Sequence, residues 1–266
     1  MRNERNLLII IFLVGISFCG CKKVIDLNLR DAESQIIITG EINNHRGPYT
    51  IKISRSVTFS SDNIFPPVRN AFVTITGNGT TDTLSEVNPG EYLTRKIEGK
   101  PGKNYSLLVA IEGKIFTAKS TMPMPVKFDS LSFLQGRNNN IYTVVNFQDP
   151  PGFENYYQFI EYSDGERFKN GRGNYVFNDR LSDGRYVNSV LYDNDSTDIK
   201  RGITLTVQMN CVDKFVYNYL QELLQISYNG SFSSPAPANP TSNISGGALG
   251  YFSANTTFSR TVELPE

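Results

Sequence analysis

Tryptophan is absent from the 266 residues, and histidine occurs once, as His45. Cysteine occurs three times, at Cys19, Cys21 and Cys211, and neither sign of charge dominates, with 26 basic and 26 acidic residues. A Ser-His-Asp or Cys-His arrangement would have to use His45, which sits in turn chemistry, His45-Arg46-Gly47-Pro48, with no partner identifiable from the sequence. There is no G-x-S-x-G nucleophile elbow, no phosphate loop and no Cys/His cluster at zinc spacing. Near-neutrality argues against a nucleic-acid surface, which shows as a basic excess. No cofactor, resident metal, nucleic-acid partner or catalytic residue is therefore expected. Long apolar runs are scarce too. The only candidate is Leu7 to Phe18, about a dozen residues and too short to span a bilayer comfortably.

That run follows Arg2 and Arg5 and leads into Phe18-Cys19-Gly20-Cys21. A charged start, a short apolar run and a small residue directly before a cysteine, in that order, are the pattern of a bacterial lipoprotein signal peptide. Residues 1–20 are expected to be the signal peptide, with Cys21 lipidated. Several acyl chains on one cysteine turn marginal membrane binding into stable anchoring, so membrane lipid is the first expected partner. Losing Arg2, Glu4 and Arg5 takes the balance from 26/26 to 24 basic against 25 acidic residues. Only Cys21 and Cys211 then remain, which leaves no intramolecular disulfide. Residues 21–33 read as a polar, lipidated tether.

From Ser34 to about Met124 the apolar period is 2. Strands are predicted at Gln35–Ile42, Tyr49–Ser54, Ala71–Thr76, Glu91–Ile97, Asn104–Ile111 and Lys114–Ser120, the last two joined by a tight Glu112-Gly113 turn. This indicates an antiparallel β-sandwich over 34–124. Pro123-Met124-Pro125 is expected to mark a boundary, and 125–266 to form a second β-rich domain. Its predicted strands are Ser130–Leu134, Ile141–Phe147, Tyr156–Tyr162 and Ile203–Met209. Asp213 as N-cap and the 3, 4 spacing of Phe215, Val216, Tyr219, Leu220, Leu223 and Leu224 predict one helix near 214–227, its stripe packing on the second sheet. From Asn229 the chain turns low in charge and rich in Gly, Pro, Ser and Asn. It reads as an ordered loop wedged into the second domain, followed by an edge hairpin.

Few residues suggest chemistry. Asp193-Asn194-Asp195-Ser196-Thr197-Asp198 has the closely spaced carboxylates that calcium needs, but Asp198 stands where an EF-hand requires glycine, and a solvated acidic loop is expected. Asp149, Glu154 and Glu161 lie near the aromatic strand Tyr156–Tyr162, a setting for either carboxylate-based glycoside hydrolysis or sugar binding. Cys211, in an apolar strand, reads as a buried thiol. Asp82-Thr83-Leu84, Asp129-Ser130-Leu131 and Asp195-Ser196-Thr197 match a three-residue O-glycosylation pattern.

The string Asn239-Pro240-Thr241-Ser242-Asn243-Ile244-Ser245-Gly246-Gly247-Ala248-Leu249-Gly250-Tyr251-Phe252-Ser253-Ala254 resembles the closing motif of a lipoprotein family known as domain-of-unknown-function family 4249. Agreement extends to Ile25-Asp26-Leu27 after Cys21, Pro67-Val68, Ala71 to Ile75, Pro89-Gly90-Glu91-Tyr92, Gly102 to Leu107, Met122-Pro123 and Phe147 to Tyr157. The resemblance implies an outer-membrane lipoprotein with an Ig-like or carboxypeptidase-regulatory-like β-sandwich followed by a second β-rich domain. It also implies a TonB-dependent outer-membrane transporter as partner, and it supplies no catalytic residues. Surface-exposed and periplasm-facing orientations both stay open. The expected role is an accessory or ligand-capturing partner of such a transporter, the alternatives being a surface glycan-binding module or a carboxylate-based hydrolase. Long ordered loops on rigid β scaffolds commonly carry function. The candidate interaction surface is accordingly the 229–254 loop, through Asn239, Pro240, Asn243, Gly246, Gly247, Leu249, Tyr251 and Phe252. The competing reading is that this loop only seals the second domain's core.

Overall fold

The alternation of β-branched and aromatic residues with polar ones becomes a mainly β protein with a single helix among the described residues. The computed structural model describes residues 34–57, 64–136, 140–168, 173–192, 199, 201–229 and 239–264. The expected signal peptide, Cys21 as the expected lipidation site with its expected tether, and Asp193–Asp198 lie outside them, as do residues 230–238 of the expected loop.

The first eight strands are β1 (Ile36–Asn43), β2 (Thr50–Arg55), β3 (Phe72–Gly77), β4 (Thr80–Thr83), β5 (Ser85–Asn88), β6 (Glu91–Leu93), β7 (Asn104–Ile111) and β8 (Lys114–Thr121). There follow β9 (Phe128–Gln135), β10 (Ile141–Gln148), β11 (Tyr156–Ser163), β12 (Glu166–Arg167), β13 (Asn174–Asn178), β14 (Tyr186–Leu191) and β15 (Thr204–Val212). The helix α1 (Lys214–Asn229), β16 (Ile244–Ser245) and β17 (Leu249–Glu263) complete the chain. The β7–β8 turn is the tight one expected, with Glu112 and Gly113 both at positive φ, 51° and 73°.

A nine-stranded sheet has the order β12-β11-β15-β17-β1-β2-β6-β5, with β13 also paired to β11. A five-stranded sheet, β16-β8-β7-β3-β4, and a three-stranded sheet, β14-β10-β9, stand beside it. Two apolar cores result, which makes the architecture β-sandwich-like. One joins Ile38, Ile51, Ile53, Val73, Ile75, Tyr92, Tyr105, Val109 and Phe116 between the nine- and five-stranded sheets. The other joins Phe128, Val145, Phe147, Tyr157, Phe159, Leu205, Val207 and Met209 between the nine- and three-stranded sheets. Residues Pro123 to Pro125 fall between these cores in sequence, while Ser34–Glu266 forms one compact unit.

One strand makes the connection. β17 was expected as an edge hairpin beginning near Ala248, yet it is one uninterrupted central strand of fifteen residues. Its first half runs parallel to β1, Ile37 opposite Leu249 through Asn43 opposite Asn255. Its second half runs antiparallel to β15, Cys211 opposite Thr256 through Thr204 opposite Glu263. Phe252 and Ala254 enter the first core, and Val262 packs against the second. Gly250 permits the register: its φ is +93°, and a Cβ there would come within 2.1 Å of the Ile38 carbonyl oxygen. The segment before it was expected in the second domain but extends the first sandwich's sheet, with Ile244 opposite Ala118 and Ser245 opposite Thr117. Physically, the whole β17 stripe Phe252-Ala254 is apolar on the face that β1 already presents to the first core, so pairing there buries it.

The helix is capped as expected, Val216 N–H donating to Asp213 Oδ1 at 3.0 Å. The other carboxylate oxygen accepts from Ser120 Oγ and, at 3.2 Å, from Thr121 N–H, so the cap also fixes α1 to the end of β8. Val216, Tyr217 and Leu220 close a third apolar cluster with Val212, packed against Tyr156, Val176 and Tyr251 on the face of the nine-stranded sheet away from the two cores.

Candidate functional site

The expected interaction residues divide into two groups. Asn239, Gly246 and Gly247 are exposed, and Pro240, Leu249 and Tyr251 are half-buried. Tyr251 stacks obliquely on Tyr219 of α1 at 5.0 Å and donates to Glu41 Oε1 at 2.6 Å; burial and the Glu41 charge push its hydroxyl well above the usual tyrosine range. Phe252 is fully buried in the first core. Asn243 holds it there: Phe252 N–H donates to Asn243 Oδ1 at 3.0 Å, and Asn243 Nδ2 donates to the Phe252 carbonyl at 2.7 Å. The strand half of this string lies within the nine-stranded sheet, and Asn239, Thr241 and the Ser245-Gly246-Gly247 stretch face solvent.

The three carboxylates singled out in sequence are not brought together. Glu154 is exposed and held by Lys214 Nζ at 3.0 Å and Tyr156 OH at 2.6 Å, which lower its pKa. Glu161 is buried and accepts from Tyr175 OH at 3.1 Å. Glu154 bonds Tyr156 at the start of β11, and Glu161 lies five strand residues beyond Tyr156, about 17 Å, outside the carboxylate separations of glycoside chemistry. Asp149 instead meets two partners that sequence spacing did not reveal, Asp179 and Asp183, with carboxylate oxygens of all three within 4.8 Å of one another. The loop 149–155 and the loop 179–185 thereby clasp each other. Asp149, fully buried, accepts from Tyr157 OH and from Gly184 N–H at 3.1 Å. Asp179 Oδ2 accepts from Asn155 N–H at 2.9 Å and Asn155 Nδ2 at 3.2 Å, and Asp183 Oδ1 accepts from Gly152 N–H at 2.8 Å. Burial is the main reason the Asp149 pKa is raised; its two hydrogen bonds oppose this and the neighbouring carboxylates add to it. The backbone donors account for one oxygen of every member, so the trio reads as a loop clasp.

Other single residues fall where the sequence reading put them or lose their chemistry. Cys211 is a buried free thiol whose pKa burial raises, the opposite of an activated nucleophile. His45 lies exposed beyond the end of β1, its N–H donating to Asn43 Oδ1. Of the O-glycosylation triplets, Asp82 is buried and accepts three backbone N–H bonds, from Arg95, Lys96 and Ile97 at 2.7, 2.6 and 3.0 Å. That role is structural: it folds 95–97 over the sandwich end.

The surface with chemical character is the solvent side of the three-stranded sheet. Alternation sends Val145, Phe147, Leu131 and Phe133 inward, so register places Leu134, Tyr142 and Tyr192 in one outward row and Ser132, Val144 and Val190 in the next. Tyr142 and Tyr192 stack at 5.6 Å with 24° between their planes. Tyr192 is 61% exposed and Leu134 50%. A third row is polar: Asn188 Nδ2 donates to Asn146 Oδ1, and Asn146 Nδ2 donates to Ser132 Oγ at 3.0 Å. The face carries the exposed side chains of Leu134, Val190 and Tyr192 beside hydrogen-bonded amides. Sequence gave alternation here, but not which of the two faces would meet water.

These features define a mainly β, sandwich-like scaffold with one helix among the described residues. The chain belongs to the family described as domain of unknown function (DUF4249), whose model matches residues 22–261. No curated protein matches it.

Proposed function

We propose that the protein is a lipid-tethered accessory of the outer membrane that captures a partner or ligand on the outer face of its three-stranded sheet. The observation that carries this is the outward row in which exposed Leu134 and Tyr192 flank half-buried Tyr142, since contiguous apolar exposure marks interaction sites. Tyrosines supply large contact area at low entropic cost and are enriched where interfaces form. Lipid on Cys21 would confine the scaffold to the bilayer and raise its effective concentration at a membrane partner. A TonB-dependent transporter is the partner implied by the family resemblance.

The test is purification of the native lipoprotein from outer membranes in mild detergent, with mass spectrometry of what accompanies it. A stoichiometric transporter that is lost with Tyr192→Asp but kept with Phe153→Asp supports the role and the surface together. A protein that emerges alone after cross-linking sinks the transporter reading. The amide row beside the stacked tyrosines favours one second reading, glycan capture on the same face, for which sugar binding lost with Tyr192→Ala in a glycan array is the corresponding test.

A further inference from the structure

We propose that the end of the first sandwich, where the chain enters the fold, is a bilayer-docking surface made by Ile64, Phe65, Phe72, Val87 and Ile115. This deepens the lipid-anchor reading and rests on it. All five side chains are at least half exposed, from 50% for Phe65 to 76% for Ile64. They come from separate stretches, and a continuous set of contacts gathers them around the entry point. Ser34 Oγ donates to the Ser56 carbonyl and Gln35 N–H to Ser56 Oγ, both at 2.9 Å, pinning the incoming chain to the end of β2. Next along β2, Arg55 N–H donates to the Pro66 carbonyl at 2.9 Å, beside Phe65 and Ile64. The Arg55 guanidinium pairs with Glu112 at the β7–β8 turn, three residues from Ile115. Ile115 lies opposite Ala110, and Ala110 opposite Phe72, on the outer face of the five-stranded sheet. Two strand spacings separate Phe72 from Ile115 by about 10 Å. Asn70 N–H, two residues before Phe72, donates to Glu86 next to Val87.

The occupant follows from where the preceding chain ends. Twelve residues, Lys22 to Glu33, separate the lipidated position from Ser34. Even fully extended they reach no more than about 43 Å. The lipid on Cys21 thus keeps the entry end as the part of the fold nearest the bilayer, and it is this end that carries the five apolar side chains. A membrane interface accepts such side chains to a depth of about 5–10 Å. The charges at the rim suit it: Glu86 and Glu112 are paired with Arg69 and Arg55, and exposed Lys114 adds a cation that would favour anionic headgroups. Docking there fixes the orientation of the whole unit, so that the tether is a hinge only in the undocked state.

The absence of tryptophan makes the test direct. Full-length lipoprotein carrying Phe65→Trp, Ile115→Trp or Leu181→Trp is reconstituted into phosphatidylethanolamine–phosphatidylglycerol vesicles containing lipids brominated on the acyl chain. Emission is expected to fall about twofold or more for Phe65→Trp and Ile115→Trp, whose depth lies within reach of the bromines, and to stay unchanged for Leu181→Trp. Equal quenching of all three, or of none, overturns the proposal. So does a spectral shift at Phe65→Trp that follows protein concentration and not lipid, because the patch then binds a second copy. The mass of the N-terminal peptide, read from the same sample, separates the two ideas. An unacylated Cys21 removes the anchor and the docking with it, whereas an acylated chain with unquenched reporters removes the docking alone. Protease resistance equal to the parent's establishes that each variant folds.

Discussion

Phe252→Ala tests the central claim about β17. The side chain is fully buried among the first core's residues, and the backbone on both sides of it is paired with β1. Truncating a buried phenylalanine costs about 3–5 kcal/mol, transfer and cavity terms together. The upper part of that range applies here, because the surrounding strands are tied in register and cannot collapse into the void. For a unit of this size about 2–4 °C is lost per kcal/mol, so the melting temperature should fall by roughly 8–20 °C. Urea unfolding should show a lower midpoint at unchanged slope, since the native fold and the surface it buries are otherwise the same. Asn243→Ala, which strips both bracketing bonds from Phe252, should cost about 1–3 kcal/mol in the same assay. If 239–254 were a solvent-facing loop, both substitutions would stay within about 0.5 kcal/mol, as surface changes do. A Phe252→Ala loss that small would refute the placement of β17.

The remaining predictions concern titratable groups. Burial alone would raise the Asp82 pKa, but three backbone N–H donors bring it below the ordinary value. A lowered folded pKa contributes stability above the unfolded value that disappears as pH falls through the folded one. Asp82→Asn should therefore destabilise at neutral pH by about 1–3 kcal/mol, and the gap in denaturant midpoints should close in acid. Asp149 has the opposite sign: its raised pKa means a contribution complete below the ordinary carboxylate value and lost as pH rises through the folded one. Asp149→Asn should gain on the parent from acid to neutral pH, and a constant difference would refute the raised pKa. Millimolar calcium should leave the parent's melting temperature unchanged; a rise would convert the clasp into a cation site. Cys211 should resist alkylation in the folded chain and react in denaturant, as a buried thiol of raised pKa does.

Where the determining forces are local, the sequence already contained the structure. Period-2 patterns marked β1, β2, β3, β7, β8, β10 and β11, because alternation alone says which side of a strand is apolar. Asp213 followed by the 3, 4 stripe gave α1, since a cap and its helix lie within one turn of each other. The Glu112-Gly113 turn was legible for the same reason. Thr80–Thr83 and Ser85–Asn88 were not, since polar edge strands bear little apolar pattern and form because β3 and β6 offer partners.

Tertiary structure alone decided the rest. Asp149 lies thirty or more residues before Asp179 and Asp183 in the chain and meets them because two loops close on each other. The string 239–254, rich in glycine and serine, has the composition of a loop, yet its second half is the one strand shared by both cores. Its pairing with β1 joins residues more than two hundred positions apart, and a contact of that separation leaves no local mark. Alternation fixed that the β9, β10 and β14 strands have two unlike faces. Which face met water was settled only when the nine-stranded sheet covered the other, and the exposed face is the one that carries the proposed function.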